Sequence, residues 1–192
     1  MLKIIFKYPE EARDWVEQNV TQNDPRYLPD LETLNILAYF LYNRAVNVEE
    51  MIIPELSEPS NGQLDRISEP QKYYKYIALG LLKLQGIKEE DIKFEFPFYG
   101  RRVDVYANKN RKEILVECCS CYVQKIIQYL ENDNTELWII TSRENVLGND
   151  PNSSGIKWFI LKRGENWSEN YNKYKNYRQK QLRKVKNPLD NL

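Results

Sequence analysis

Apolar residues in the first part of the chain recur at the spacing of helices. Residues 9–20 and residues 30–46 each place an apolar stripe on one helical face. Prolines, serines and a glycine then accumulate over residues 54–70, which is typical of a loop. The pattern predicts an N-terminal helical extension over residues 1–60, ahead of the main domain.

From the middle of the chain onward, helices and strands follow each other closely. One apolar helix ends near Gly86, and a second, shorter helix follows the cysteine-rich segment. Between the helices, three segments alternate apolar and polar residues and predict strands over residues 91–98, 101–107 and 112–119. Residues 108–111 join the last two strands and predict a hairpin turn.

Alternation also assigns the residues of each strand to a face of the sheet. Successive side chains of a strand point to opposite faces, so every second residue shares a face. We therefore expect three sets, each on a single face: Phe94, Phe96 and Phe98; Val103, Val105 and Ala107; and Leu115, Glu117 and Cys119.

Two apolar strands and a long helix complete the chain. Residues 136–141 and 156–162 predict buried strands, with a polar loop over residues 143–155 between them. The order of elements after the extension, α-β-β-β-α-β-β-α, predicts an α/β fold (an α+β mixed sheet) with helices on its faces. We divide the rest of the chain into a core over residues 61–167 and a basic C-terminal helix over residues 168–192.

Composition narrows the chemistry that the chain can perform. Lysine plus arginine equals aspartate plus glutamate at 28 each, so a nucleic-acid site would need local segregation of charge. Histidine is absent, which removes the commonest general base and the commonest zinc ligand. The sequence contains no apolar run of membrane-spanning length and no segment that reads as a signal peptide, so we expect a cytoplasmic protein with no membrane partner.

The three cysteines are the first candidate for a metal site. Cys118, Cys119 and Cys121 lie within four positions of one another, with no second pair elsewhere. Structural zinc takes four ligands, usually from two separated pairs, and adjacent residues of a strand point to opposite faces. We expect neither zinc nor a disulfide here, and we expect Cys118 to be a buried core residue.

Carboxylates are the second candidate. Asp104 and Glu117 lie on neighbouring strands of one hairpin, and Glu95 can join them from the preceding strand. Carboxylates brought together repel each other unless a cation lies between them, and Mg²⁺ prefers oxygen ligands. The alternative is that each acid is a polar residue on a solvent-facing strand, although aspartate is disfavoured inside strands.

Residues 69–141 resemble the core of the PD-(D/E)XK nuclease superfamily, which includes restriction endonucleases and archaeal Holliday-junction resolvases. The resemblance rests on the αβββαβ order, "RRVDVYA" with Asp104 and "ILVECC" with Glu117. Nucleases of archaeal viruses are a weaker likeness, and a viral origin would imply the cytoplasm of the host cell. The resemblance implies a metal-dependent DNA endonuclease, with DNA as its partner and a homodimer as its assembly, since paired cuts favour two-fold symmetry.

The resemblance also assigns roles to individual residues. Asp104 and Glu117 would bind Mg²⁺ or Mn²⁺ together with the backbone carbonyl of Cys118, and Glu95 would support the metal or its waters. This sequence departs from the family pattern Glu-x-Lys, because Cys119 occupies the position of the lysine. Lys125 on the following helix could replace that lysine, although helical geometry leaves its reach open.

Three further polar residues could contact DNA near the carboxylates. Gln124 and Gln128 occupy a helical position where related nucleases carry supporting glutamines, and Arg102 could hold a phosphate. The alternatives are solvated polar residues in the helix and a surface salt bridge at Arg102. If the missing lysine is not replaced, the protein would be a catalytically weakened nuclease fold that acts in nucleic-acid binding or assembly.

The C-terminal segment is basic. From Ser168 to Leu192, seven cations face two acids, Glu169 and Asp190, and three tyrosines recur every third residue. Cations can neutralise phosphates and tyrosines can stack on bases, or the tyrosines can pack on the domain while the cations face water. The cations that we expect to bind DNA are Lys173, Lys175, Arg178, Lys180, Arg183 and Lys184.

Overall fold

The structure, a computed structural model, describes residues 1–20, 31–56, 71–119, 121–142 and 155–186. The strands are β1 (Leu2–Ile4), β2 (Val46–Met51), β3 (Lys93–Phe98), β4 (Arg101–Lys109), β5 (Lys112–Cys118), β6 (Thr135–Ser142) and β7 (Ile156–Arg163). The helices are α1 (Pro9–Asn19), α2 (Leu31–Tyr42), α3 (Lys72–Leu84), α4 (Val123–Tyr129) and α5 (Trp167–Lys186). Most of the predicted loops over residues 54–70 and 143–155 lies outside the described residues, which omit residues 57–70 and 143–154.

Seven strands of the described residues form one mixed sheet in the order β1-β2-β7-β6-β5-β4-β3. The β5–β6 pair is parallel and α4 crosses between its strands, whereas all other neighbours are antiparallel. This arrangement confirms the predicted α/β class with a mixed sheet. It also confirms that β3, β4 and β5 are contiguous, with β3 at one edge.

Helices cover both faces of the sheet and bury two separate cores. The α2-side core joins α1, α2, α4 and the start of α5, with Val16, Leu37, Ile126 and Trp167 among its buried residues. The α3-side core joins α3 to the other face, with Leu82 among its buried residues. Because both faces are buried, β6 is buried along its whole length. No helix among the described residues is long and apolar enough to cross a lipid bilayer.

The N-terminal segment is not purely helical, so that prediction is wrong for β1 and β2. All six residues of β2 pair with β7, and β1 pairs with β2 at the edge of the sheet. Helices α1 and α2 form where the apolar stripes predicted them, and they pack in the same core as β7. The strands were missed because their stability comes from distant partners: β2 pairs with β7, more than a hundred residues away in sequence, and β1 pairs with β2, more than forty residues away.

Alternation breaks in the middle of β3 and β4. Phe94 packs in the α3-side core, whereas Phe96 packs in the α2-side core; Val105 and Val103 divide in the same way. The break falls at Glu95, which has a positive φ of 51° and stands opposite Asp104 in the register. The predictions that Phe94, Phe96 and Phe98 share one face, and that Val103 shares the face of Val105 and Ala107, are therefore wrong.

Candidate active site

Glu117 lies near the carboxyl end of β5, buried beneath α4. Lys125 Nζ lies 3.0 Å from Oε1 and 2.9 Å from Oε2 of this carboxylate, and it also donates to the carbonyl oxygen of Arg102 at 3.0 Å. Tyr129 donates its hydroxyl to Glu117 Oε1 at 3.1 Å. Lys125 and Tyr129 are four residues apart, so they lie on one side of α4 and reach Glu117 together.

Asp104 lies on β4 beside Glu117, at the point where β4 and β5 separate. The paired residues of the two strands end at Val105 and Val116. Beyond it, the backbone N–H of Cys118 donates to Asp104 Oδ2 at 2.7 Å. The aspartate side chain thus replaces a backbone acceptor for β5, which explains how a residue that disfavours strands is accommodated here.

Glu95 lies opposite Asp104, between two cations. The ammonium group of Lys75 contacts Oε1, and Arg102 Nε lies 2.7 Å from Oε2. Lys75 belongs to α3 and is only 2% exposed, whereas the side chain of Arg102 is 73% exposed. Lysine is almost never fully buried unless it is paired, so the contact with Glu95 accounts for its position. The predicted surface salt bridge of Arg102 is present.

The charges at the site leave two carboxyl groups that are difficult to ionise. Burial and the neighbouring Asp104 charge raise the pKa of Glu117 to about 7, although Lys125 and Tyr129 oppose the shift. Burial also raises the pKa of Asp104, against the hydrogen bond from Cys118 and the charge of Lys75. A bound cation would stabilise both groups in the ionised form.

The donor set of Asp104 and Glu117 fits a hard divalent ion. Mg²⁺ prefers oxygen ligands and is usually held by one or two carboxylates together with waters and substrate phosphates. A larger protein cage is not seen: within the described ranges, no group of three or more His, Cys, Asp or Glu side chains could hold a metal. Asp104 and Glu117 are therefore the residues that would hold Mg²⁺ or Mn²⁺.

The cysteines follow Glu117 directly in the sequence, and two of their three thiols are buried. All three are free thiols, and Cys118 is buried as predicted. Cys119 packs against the α3-side core, so the prediction that it shares the face of Glu117 is wrong. Its positive φ of 72° ends the alternation of β5, and its carbonyl accepts the hydroxyl of Thr141. Burial raises the pKa of the Cys118 thiol well above its ordinary value, so the free thiol is uncharged at neutral pH.

The two glutamines of α4 differ in their surroundings. Gln124 is exposed. Gln128 donates to the carbonyl oxygen of Tyr99 at 2.9 Å and accepts a hydrogen bond from Arg101 Nε at 2.6 Å. Gln128 therefore holds the turn between β3 and β4 against α4, and its side chain amide already has protein partners.

The basic C-terminal helix is present, and its tyrosines pack on the domain as the alternative interpretation proposed. Tyr171 stacks on Trp167 with ring centroids 5.1 Å apart, and Tyr174 meets Phe40 edge-on at 6.0 Å. The cations Lys173, Lys175, Arg178 and Lys180 are exposed. Lys173 pairs with Glu169 and Lys175 lies over the ring of Tyr171. The side chains of Arg183 and Lys184 lie outside the described residues.

Sequence reasoning missed two residues of the site, Lys75 and Tyr129. Lys75 stands on the same helical face as Ala78, Leu79 and Leu82, all of which are buried. A lysine in the middle of an apolar stripe is a signal that can be read from the sequence, because a buried ammonium group requires a partner of opposite charge. Tyr129 carries a similar signal through its spacing from Lys125.

Comparisons of the chain with protein-family models, with curated proteins and with solved structures find no match. The function therefore has to be argued from the site itself.

Proposed function

We propose that the protein is a Mg²⁺- or Mn²⁺-dependent DNA endonuclease of the PD-(D/E)XK type, which hydrolyses phosphodiester bonds. The observation that carries the proposal is the meeting of two buried carboxylates with one lysine at the end of a strand hairpin. Asp104 affects the pKa of Glu117 through its charge, and Lys125 contacts both oxygens of Glu117. A divalent ion held by carboxylates can polarise a phosphodiester and activate a bound water, and a neighbouring lysine adds positive charge where negative charge develops.

The order of the elements supports the proposal. Helix α3, the antiparallel strands β3, β4 and β5, helix α4 and the parallel strand β6 follow each other in the αβββαβ order of that superfamily. The carboxylates stand near the carboxyl end of β5, beside the parallel strand β6. Ligands of open α/β sheets bind at the carboxyl ends of such strands.

The chain's own residues would divide the work of hydrolysis between them. Asp104 and Glu117 would hold the metal, which when bound polarises the phosphodiester and lowers the pKa of a bound water. Lys125 offers a cation beside Glu117, whereas the family pattern places its lysine on the strand, two residues after the glutamate. Glu95 and Lys75 keep a charge pair next to Asp104, and Arg102 presents an exposed guanidinium group that can hold a substrate phosphate.

A second function, nucleic-acid binding without cleavage, is favoured by one observation. Lys125 already contacts both oxygens of Glu117, so an internal cation occupies the position that a divalent ion would share. If Lys125 does not move when the metal binds, the site would retain the nuclease fold without its activity. Cleavage assays decide between the two functions.

The test is cleavage of branched and linear DNA substrates with added Mg²⁺ or Mn²⁺. We expect metal-dependent cleavage by the wild type and loss of cleavage in Asp104→Asn, which keeps the size of the side chain and removes its charge. Glu90→Gln is the matched control, because Glu90 is highly exposed and pairs with Lys88 away from the carboxylates. Equal loss in both variants, or cleavage that survives Asp104→Asn, contradicts the proposal.

Lys125→Ala separates the role of the lysine from that of the metal ligands. We expect slower cleavage with nearly unchanged DNA binding, since a cation beside the attacking water acts mainly in the transition state. Single-turnover rates and binding in the presence of Ca²⁺ measure the two effects separately. If Lys125→Ala instead raises cleavage, Lys125 competes with the metal, and the binding function describes the wild type better.

A further inference from the structure

The turn between β3 and β4 places a tyrosine in a backbone conformation that tyrosine rarely adopts. Tyr99 and Gly100 join the paired residues Phe98 and Arg101, and both have positive φ values, of 46° and 73°. Two-residue hairpin turns of this kind favour asparagine, aspartate or glycine at both positions. Glycine meets that preference at position 100, but the tyrosine at position 99 does not.

Burial of the ring does not explain this choice of residue. Tyr99 remains 62% exposed, and its ring meets the ring of Phe98 edge-on with centroids 4.6 Å apart. A side chain that carries a backbone penalty and remains largely in solvent gains little from the fold. Residues in rarely populated backbone conformations concentrate at functional positions, so the exposed ring is a candidate binding surface.

The turn is held firmly in place by α4. Gln128 donates to the carbonyl oxygen of Tyr99 and accepts from Arg101, so both ends of the turn are tied to one side chain. Arg101 uses one of its five N–H donors in this contact, and its side chain is exposed. The ring and the guanidinium group are therefore presented from a fixed platform.

A series of side-chain contacts connects this turn to the carboxylates. The ring of Phe98, which contacts Tyr99, also lies 5.7 Å from the ring of Tyr129, and Tyr129 donates to Glu117. On the same strand as Arg101, the exposed guanidinium group of Arg102 pairs with Glu95. An aromatic face and two arginines thus stand at the approach to the site.

We propose that this turn binds single-stranded DNA, with an unpaired base stacked on Tyr99 and the adjoining phosphates held by Arg101 and Arg102. Stacking on an exposed aromatic ring requires a base whose face is free, which a base inside a duplex does not offer. The claim that the bound strand is the one presented to Asp104 and Glu117 for cleavage rests on the proposed function. It specifies the substrate class as DNA with unpaired nucleotides beside the scissile phosphate.

Binding of a labelled single-stranded oligonucleotide and of the matching duplex, measured by fluorescence anisotropy in EDTA, tests the inference without any cleavage. Tyr99→Gly removes the ring and fits the positive φ, so the variant should be at least as stable as the wild type. We expect single-strand affinity to fall roughly fivefold to a hundredfold, the loss of one base–aromatic stack, and duplex affinity to change less than about twofold. Tyr99→Phe should retain single-strand affinity.

Tyr8→Gly is the matched control. Tyr8 is 63% exposed and precedes α1, near the opposite edge of the sheet from β3. It should leave both affinities unchanged. Unchanged single-strand affinity in Tyr99→Gly, or equal losses for single strand and duplex, overturns the inference. If Tyr99→Gly loses single-strand affinity selectively but the wild type never cleaves DNA, the inference is supported and the nuclease proposal is contradicted. If the wild type cleaves DNA with added metal but Tyr99→Gly keeps its single-strand affinity, the nuclease proposal is supported and the inference is contradicted.

Discussion

Two buried glutamates on neighbouring parallel strands have opposite electrostatic environments. Glu136 lies near the amino end of β6, and Glu117 lies near the carboxyl end of β5. Glu136 contacts Lys112 and Lys162 and accepts the indole N–H of Trp138 at 2.7 Å. Although burial alone would raise the pKa of Glu136, the hydrogen bonds from Lys112 and Trp138 and the lysine charges lower it.

Glu117 is buried more deeply, with 2% of its surface exposed against 6% for Glu136, and it is less well compensated. It has one lysine and one hydroxyl as partners, and the charge of Asp104 lies beside it. The pKa of Glu117 therefore rises to about 7 while that of Glu136 falls. A balanced carboxylate stabilises the fold, whereas carboxylates that lack a full complement of cations mark a place where a further cation can bind.

The largest effect that would separate the two glutamates is on cleavage. We expect Glu117→Gln to reduce metal-dependent cleavage by more than the roughly 10- to 100-fold that loss of an outer-shell partner costs, because a metal ligand is lost. Glu136→Gln should leave the rate per folded molecule unchanged. Single-turnover cleavage at saturating enzyme measures both, and a comparable fall in both variants would end the distinction.

The pH dependence of stability should have opposite signs for the two residues. Because the folded pKa of Glu117 lies above its ordinary value of 4.5, this group costs the native state stability as pH rises from 4.5 to about 7. Glu117→Gln should therefore stabilise the protein at pH 8 by up to roughly 3 kcal/mol, and much less at pH 4.

Glu136 has a lowered pKa in the folded protein, so the ionised group contributes to stability above its ordinary pKa. This contribution is lost as the pH falls through the pKa of the folded state. Glu136→Gln should destabilise the protein at neutral pH and do so less in acid. Urea unfolding of the wild type and both variants across this pH range checks the signs. The opposite sign for Glu117→Gln, a loss of stability relative to the wild type that is larger at pH 8 than at pH 4, would contradict this expectation. It would show that the ion pair between Lys125 and Glu117 stabilises the fold by more than the burial of the charge costs.

Divalent ions should stabilise the protein by binding at Asp104 and Glu117 and not at Glu136. Mn²⁺ at a hundred times its dissociation constant would add about 2.7 kcal/mol to the stability of a protein that binds it only when folded. For a chain of this size we expect a rise of several degrees in the midpoint of thermal unfolding. Asp104→Asn should remove the rise and Glu136→Gln should retain it; a rise that is equal in all three proteins would place the ion elsewhere.

The smallest effect is expected at Cys119. A lysine introduced by Cys119→Lys, at the position where PD-(D/E)XK nucleases carry one, would help only if residue 119 faced the carboxylates, but it packs against the α3-side core on the other face. We therefore expect the cleavage rate to change by less than about twofold. A clear gain in Mg²⁺-dependent rate, measured under the same conditions as the Glu117→Gln variant, would show that the lysine reaches the site from that face.

Much of the site could be read from local pattern. The hairpin of β4 and β5 was predicted from alternation and from the polar segment between the strands, where Asn110 and Arg111 both adopt positive φ. That hairpin brings Asp104 and Glu117 to neighbouring strands, as the sequence indicated. The reach of Lys125 could not be settled from helical geometry, because the long side chain extends back from the flank of α4 to Glu117.

The sequence by itself determined the helices, the central strands, the mixed α/β class and the pair Asp104 and Glu117, because each follows from spacing within a few residues. Only the tertiary structure decided that β1 and β2 complete the sheet, that Lys75 is buried against Glu95, and that Cys119 faces away from Glu117. These outcomes depend on contacts between distant segments and on a sheet buried on both faces. Where both faces are buried, apolar alternation no longer distinguishes one face from the other.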